Sequence, residues 1–127
     1  METQALRGEV EAAYAAWNGA FDAGDAGALA AFYTTDTLLL PVTREVIEGP
    51  AGVERFFAGL FATGVTGHRL ELLTLQADTG TLVAAARWSA RARKPDGSER
   101  ALSGNTVHVF AREPDDGSLK IRLHIFN

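Results

Sequence analysis

The stretch HVFAREPDDGSLKIRLHIF, residues 108–126, has the pattern of two β-strands joined by a tight turn. Its centre contains Asp and Gly, which supply the left-handed backbone conformations that hairpin turns require. If the turn centres on Asp115-Asp116, His108 faces position 123 or 124 on the next strand. Facing Cβ atoms on one side of such a pair are about 5 Å apart. The hairpin can therefore bring His108 and His124 into contact.

The rest of the second half also has the pattern of strands. We predict four of them, and three turn motifs separate them: DTG, KPDGS and EPDDGS. Strands joined by such short loops are antiparallel. The predicted strands are His68–Gln76, Thr81–Arg93, Arg100–Arg112 and Leu119–Phe126.

The first half has helical periodicity. Apolar residues recur every three or four positions in one stripe, which indicates a first helix that ends near Gly24. Asp25 is a suitable N-cap for a short second helix with Phe32 and Tyr33 on its inner side. Gly49-Pro50 suits the start of a third helix, because proline lacks an N–H that the first helical position does not need. The stripe of the first helix consists of Leu6, Val10, Ala13, Tyr14, Trp17 and Phe21.

Between the second and third helices, Thr37–Pro41 is a short apolar run that predicts a strand entering the core. Helices followed by a meander of strands indicate an α+β fold. We predict a cone-shaped, curved antiparallel sheet with three N-terminal helices packed on its concave face, and one domain spanning residues 1–127. Concave spaces of this kind are where small ligands usually bind.

Composition narrows the classes of function. The chain has 127 residues, of which 46% are hydrophobic and 22% charged, as in an ordinary globular protein. It has no cysteine, which excludes disulfides, thiolate metal sites and cysteine nucleophiles. A net charge of -4 argues against nucleic-acid binding. No apolar run approaches the roughly 20 residues that span a bilayer, and no secretory leader is evident. We expect a cytoplasmic protein without a membrane or nucleic-acid partner.

Two segments resemble a known family. GDAGALAAFYTTDTLLLPVTREVIEGPAGVERFF, residues 24–57, resembles the Gly-Asp, Leu, Tyr, Asp, Gly and Phe pattern of SnoaL-like proteins. VFAREPDDGSLKIRLHIFN, residues 109–127, resembles their closing hairpin, which finishes near an aromatic-Asn pair. SnoaL-like proteins belong to the nuclear-transport-factor-two-like superfamily. The resemblance covers nearly the whole chain, and it implies the fold rather than a particular activity.

Members of this superfamily include ketosteroid isomerase, polyketide cyclases, dehydratases, epoxide hydrolases and many binding proteins without known catalysis. Resemblance to ketosteroid isomerase places its catalytic tyrosine near Trp17, its general base near Leu40 and its oxyanion-hole aspartic acid near His108. Leucine cannot accept a proton and tryptophan cannot replace a tyrosine in acid chemistry. We therefore do not expect ketosteroid isomerisation by that mechanism.

The superfamily also contains the association domain of a calmodulin-dependent kinase. Resemblance to that domain places its pocket arginines near Arg87, His108 and Phe126, and only Arg87 is retained. This implies a pocket that accepts a carboxylate or another acidic group. Strand alternation leaves a second interpretation open, in which the Trp88 face is buried and Arg87 lies in water.

The orientation of the two histidines is also open. Strict alternation places Leu119, Ile121, Leu123 and Ile125 on one face of the last strand, and Lys120, Arg122, His124 and Phe126 on the other. Burying the leucine–isoleucine face would leave the histidines exposed. The resemblance instead places positions 108, 124 and 126 inside. Both can hold if the apolar face forms a homodimer interface on the outer side of the sheet.

Two hypotheses of function follow. The first is a small-molecule-binding protein with an apolar, aromatic pocket and an Arg/His polar end, which takes an apolar or aromatic ligand, with or without an acidic group. The second is a cofactor-independent enzyme of the polyketide cyclase, isomerase or dehydratase kind that uses His108 as acid or base. We expect no metal and no cofactor. An aromatic stripe at helical spacing is usually ordinary core, and the same residues would line a cavity if one exists. The predicted pocket residues are Trp17, Phe21, Tyr33, Phe57, Arg87, His108, His124 and Phe126.

Overall fold

The structure is a computed structural model that describes residues 2–127. Its three helices all lie in the first half of the chain, as the periodicity predicts. Asp25 caps the second helix by accepting a hydrogen bond from the backbone N–H of Ala28 at 3.0 Å, and Pro50 lies in the first turn of the third. None of the described helices is long and apolar enough to span a bilayer. The helices are α1 (Glu2–Asp22), α2 (Ala26–Ala30) and α3 (Gly49–Ala62).

Among the described residues, six strands form one curved sheet. They are β1 (Tyr33–Leu40), β2 (Ile47–Glu48), β3 (Val65–Asp78), β4 (Thr81–Arg93), β5 (Glu99–Arg112) and β6 (Leu119–Phe126). Their order across the sheet is β2-β1-β6-β5-β4-β3. The last four are the predicted strands, with bounds that agree to within three residues. The sequence did not predict β2, which has only two residues.

The sheet is mixed, so the prediction of a purely antiparallel sheet is wrong. β1 pairs with β6 in parallel, and every other pair is antiparallel. The rule that short loops make antiparallel pairs still holds for β3 to β6. The rule does not apply to β1 and β6, because most of the chain lies between them in the sequence. Tyr33 also differs from its prediction: α2 ends at Ala30, and Tyr33 begins β1.

A β-bulge in β6 determines which side chains enter the core. Ile121 faces Phe110 and Leu123 faces Val109, so Arg122 is an extra residue with no partner of its own. A bulge of this kind interrupts the alternation of side chains between the two faces. Ile121 and His124 therefore share the inner face, with 3% and 5% of their surface exposed, although alternation would separate them. The expected division of β6 into two strictly alternating faces is thus wrong.

The helices cover one face of the sheet, with α1 against β3 and α3 against β1. The core between the layers combines the inner stripe of α1 with the small residues of β4. Ala90 of β4 leaves room that a larger side chain would fill, and this space is part of the cavity of the candidate site. The buried aromatic residues of this core are Tyr14, Trp17, Phe21, Tyr33, Phe57 and Phe110.

Candidate functional site

A cavity of about 290 Å³ lies between the helices and the inner face of the sheet. This volume is at the small end of the range for small-molecule sites. The wall is almost entirely apolar, with His108 and His124 on the sheet side and Trp17 and Phe57 on the helix side. None of the lining residues carries a formal charge, apart from what the histidines would gain on protonation. The site is therefore suited to an uncharged, largely apolar molecule.

His108 and His124 face each other across β5 and β6, as the hairpin predicts. Their ring centroids are 4.2 Å apart, and the rings are 1% and 5% exposed. They point inward because the bulge at Arg122 turns His124 to the same side as Ile121. The two imidazoles form one polar patch in a wall that is mostly apolar.

Two tyrosines hold the histidine rings from behind. The hydroxyl of Tyr14, on α1, lies 2.9 Å from Nδ1 of His108. The hydroxyl of Tyr33, at the start of β1, lies 3.0 Å from Nδ1 of His124 and accepts a hydrogen bond from Nε1 of Trp17 at 3.2 Å. Each ring is thus fixed through Nδ1, which leaves Nε2 on its other side.

Burial makes the charged form of each histidine costly, and it sets their pKa values. Burial lowers the pKa of His108 to about 3, with a smaller contribution from the nearby His68. Burial also lowers the pKa of His124 well below the ordinary value, with smaller contributions from His108 and His68. Both imidazoles are neutral at pH 7.

His68 is a third histidine of the cavity wall, and the sequence did not predict it as a site residue. Its ring is stacked with Trp88, with 6.0 Å between the ring centroids, and its Nδ1 lies 3.0 Å from Oδ1 of Asn18. Burial lowers the pKa of His68 to about 4, against an opposing effect of Asp22. In residues 2–127, no three His, Cys, Asp or Glu side chains are grouped so that they could hold a metal ion.

Arg87 lies outside the cavity, and the prediction that it forms the polar end is wrong. β4 pairs with β5 without a bulge, so its alternation is unbroken, and Ala86 and Trp88 face inward while Arg87 faces out. The Arg87 side chain is 57% exposed and lies 3.8 Å from the carboxylate of Glu71 on β3. An exposed pair of this kind contributes little to stability. The position implied by the kinase resemblance does not apply to this chain.

The structure brings most of the other predicted residues together. Trp17, Phe21, Phe57 and Phe126 line the cavity with the two histidines, and Tyr33 lies one layer behind them as a support for His124. The sequence missed several lining residues that come from separate elements. Of these, Trp88 and Ala90 lie on the face of β4 whose burial its alternation favoured. The missed residues include Thr43, Phe56, Leu60, Leu70, Trp88, Leu102 and Thr106.

Solved structures show the same fold. ActVI-ORFA from Streptomyces coelicolor superposes with a TM-score of 0.82 at 21% identity, covering 97% of this chain and 96% of that one. A Catenulispora acidiphila protein in complex with S-DNPA gives a TM-score of 0.80 at 20% identity, covering 97% and 92%. A ketosteroid isomerase-like protein from Erwinia carotovora atroseptica gives 0.80 at 19% identity, covering 94% and 92%. At these identities, the similarity establishes the fold alone.

At the level of sequence, no curated protein matches the chain. The family model of the SnoaL-like domain does match, over residues 10–123. This span includes His68, His108 and the two tyrosines behind the histidine rings, and it ends one residue before His124. The chain belongs to the family of SnoaL-like domains, in the nuclear-transport-factor-two-like superfamily.

Proposed function

We propose that this protein binds a small, uncharged, largely apolar molecule in the cavity between its helices and its sheet. The observation that carries this proposal is the combination of an apolar wall with one fixed polar patch, His108 and His124. Small-molecule sites have this composition, since apolar walls supply affinity and a few polar groups fix orientation. The complex of the Catenulispora acidiphila protein with S-DNPA supports a binding role for this fold.

The acidic ligand considered from the sequence is not part of this proposal. Arg87 is outside the cavity, and among residues 2–127 no lysine or arginine lines it. An ionised carboxylate would lose its hydration there without a countercharge, which is costly.

A matched pair of variants tests the proposal. Ala90 lies on the cavity side of β4, whereas its neighbour Ser89 is exposed on the outer side. Ala90→Phe fills part of the cavity, and we expect it to abolish the binding of aromatic molecules in a thermal-shift or fluorescence titration. Ser89→Phe adds the same ring outside and leaves binding unchanged. Equal binding by the two variants would contradict the location of the site.

A second candidate function is a cofactor-independent enzyme of the polyketide cyclase, isomerase or dehydratase kind. The hydrogen bond from Tyr14 to His108 favours it, because proton transfer needs an imidazole with a positioned partner. His108→Gln removes the titrating group, and we expect turnover to fall by a factor of about 10² to 10⁴ if His108 transfers a proton. Because burial lowers the pKa of His108 to about 3, activity would decline on the acid side well below neutrality.

We further propose that the protein forms a homodimer through the outer face of the sheet. Half-buried or exposed apolar residues meet there in register, with Val107 opposite Ile125 and Val109 opposite Leu123. Ile125 is 40% exposed in the single chain. We expect Ile125→Lys to halve the mass measured by light scattering, whereas Arg87→Lys, on the same face, does not change it. A monomeric protein at all concentrations would contradict this proposal.

A further inference from the structure

The hydrogen bonds around Tyr33 determine which nitrogen of His124 carries the proton. Burial raises the pKa of Tyr33, so its hydroxyl stays protonated. That hydroxyl already accepts from Trp17, and Nδ1 of His124 is the acceptor within reach of its own proton. If Nδ1 of His124 were the donor instead, the Tyr33 proton would be buried without an acceptor, at a cost of about 1–3 kcal/mol. Nδ1 is therefore unprotonated, and the neutral ring of His124 carries its proton on Nε2.

Tyr14 and His108 repeat this arrangement. Tyr14 is 4% exposed, burial raises its pKa, and Nδ1 of His108 lies 2.9 Å from its hydroxyl. The protonated hydroxyl again donates to Nδ1, which leaves the ring proton on Nε2. Within residues 2–127, Nε2 of His108 and Nε2 of His124 have no hydrogen-bond partner in the protein.

Thr106 adds a third polar group to this patch. It is 2% exposed and lines the cavity, and its hydroxyl has no hydrogen-bond partner among the described residues. It lies two residues before His108 on the same face of β5, opposite Phe126 on β6. A buried hydroxyl without a partner costs free energy, so its presence in an apolar wall needs an explanation. A hydrogen bond between this hydroxyl and a ligand atom would explain why a polar residue lies there.

We propose that the two Nε2–H groups of His108 and His124, together with the hydroxyl of Thr106, recognise a carbonyl oxygen on an uncharged aromatic ketone. This inference rests on the proposed binding function and specifies the ligand of that site. Both imidazoles offer donors, so the group that they select is an acceptor. A hydrocarbon leaves all three polar groups without partners, and a carboxylate brings a buried charge without a counterion.

Three probes with the same bicyclic framework test this chemistry: 1-tetralone carries a ketone, tetralin carries no oxygen, and 1-naphthoic acid carries a carboxylate. Their dissociation constants are measured by calorimetry at pH 7 on the wild-type protein. We expect 1-tetralone to bind about tenfold or more tightly than tetralin, since each net hydrogen bond is worth roughly a factor of five and a carbonyl oxygen can accept two. We expect 1-naphthoic acid to bind more weakly than either.

The outcomes separate this inference from the proposed function. Equal affinities for 1-tetralone and tetralin would overturn the carbonyl preference and leave the binding function in place. Failure of all three probes to bind would overturn both. Tighter binding of 1-naphthoic acid than of 1-tetralone would overturn the selection of an uncharged ligand.

Thr106→Val replaces the hydroxyl with a methyl group of nearly the same shape. We expect it to weaken 1-tetralone binding about fivefold to tenfold and to leave tetralin binding unchanged. Thr106→Ser retains a hydroxyl and should retain the preference. The ligand-free Thr106→Val protein should be at least as stable as wild type, because an unpaired polar group has been removed, so weaker binding cannot be attributed to unfolding. An unchanged preference for 1-tetralone over tetralin in Thr106→Val would show that the Thr106 hydroxyl does not recognise the carbonyl.

A nitrogen-15 NMR spectrum of the histidine rings tests the protonation states directly. We expect both His108 and His124 to be neutral at pH 7, with the proton on Nε2. Addition of 1-tetralone should shift the Nε2 resonances more than the Nδ1 resonances. A proton on Nδ1 of either ring would overturn its role as a donor to the ligand.

Discussion

Polar residues on the two faces of the sheet differ in burial and in the groups that solvate them. On the inner face, His108, His124 and Thr106 are almost completely buried, and each imidazole has a tyrosine fixed behind it. On the outer face, Arg87 and Glu71 are mostly exposed and 3.8 Å apart. Water can solvate Arg87 and Glu71, whereas the inner polar groups depend on specific partners. Polar side chains on the inner face therefore carry both the stability cost and the capacity for recognition.

The largest effect expected from the difference between the two faces is a loss of folding stability at acidic pH. The folded-state pKa of each cavity histidine is lowered, so the unfolded chain binds more protons below pH 6.5. Stability is therefore complete above pH 6.5 and falls as the pH decreases toward the folded-state values, about 4 for His68 and about 3 for His108. At pH 5 we expect a loss of roughly 2 kcal/mol for each histidine that stays neutral, relative to pH 7. The loss is measured as the change in the free energy of unfolding in urea between pH 7.5 and pH 5.

His108→Gln is the control for this experiment, because it removes one titrating group and should reduce the slope accordingly. A free energy of unfolding that is constant from pH 7.5 to pH 5 would contradict the burial of neutral histidines.

The second largest difference between the two faces should be the effect of an introduced carboxylate on the free energy of unfolding. Thr106 and Asn105 are neighbours on β5 that point to opposite sides, one buried and the other exposed. Thr106→Asp places an acid in the apolar wall without a cationic partner, and we expect it to lower the free energy of unfolding by about 3 kcal/mol or more. Asn105→Asp should change it by less than about 0.5 kcal/mol. Similar effects in chemical denaturation would show that the two faces are not distinct.

Loss of one inner hydroxyl should have a smaller effect. Tyr33→Phe leaves Nε1 of Trp17 and Nδ1 of His124 without their common partner, and we expect a loss of about 1–3 kcal/mol in the free energy of unfolding. It should also release the tautomer of His124, which is visible in the nitrogen-15 spectrum. Ser103→Ala removes an exposed hydroxyl of β5 and serves as the control, with no change expected beyond about 0.5 kcal/mol.

The smallest effect should come from Arg87. Because Arg87 is exposed and its ion pair with Glu71 is long, Arg87→Ala should change stability by less than about 1 kcal/mol. It should leave the affinity for an aromatic ligand unchanged in a titration. A loss of affinity in Arg87→Ala would mean that the outer face contributes to binding, contrary to the structure.

The sequence by itself determined the local elements of this protein. Turn residues such as the Asp-Gly steps fix short loops, so the limits of β4 and β6 and the pairing of His108 with His124 could be predicted. Helical periodicity placed the helices, because a stripe of apolar residues has one low-energy way to be buried. Inward-facing aromatic residues of α1, such as Trp17 and Phe21, followed from the same pattern and do line the cavity.

Only the tertiary structure decided which polar residues reach the cavity. The extra residue at Arg122 changes the face of every side chain after it in β6, and no local pattern reveals a bulge that depends on the partner strand. The unbroken register of β4 keeps Arg87 outside, against the position that the kinase resemblance implied. Thr106 and His68 entered the site because distant elements close over them. Long-range register, which depends on the packing of the whole chain, therefore selects the chemistry of the cavity.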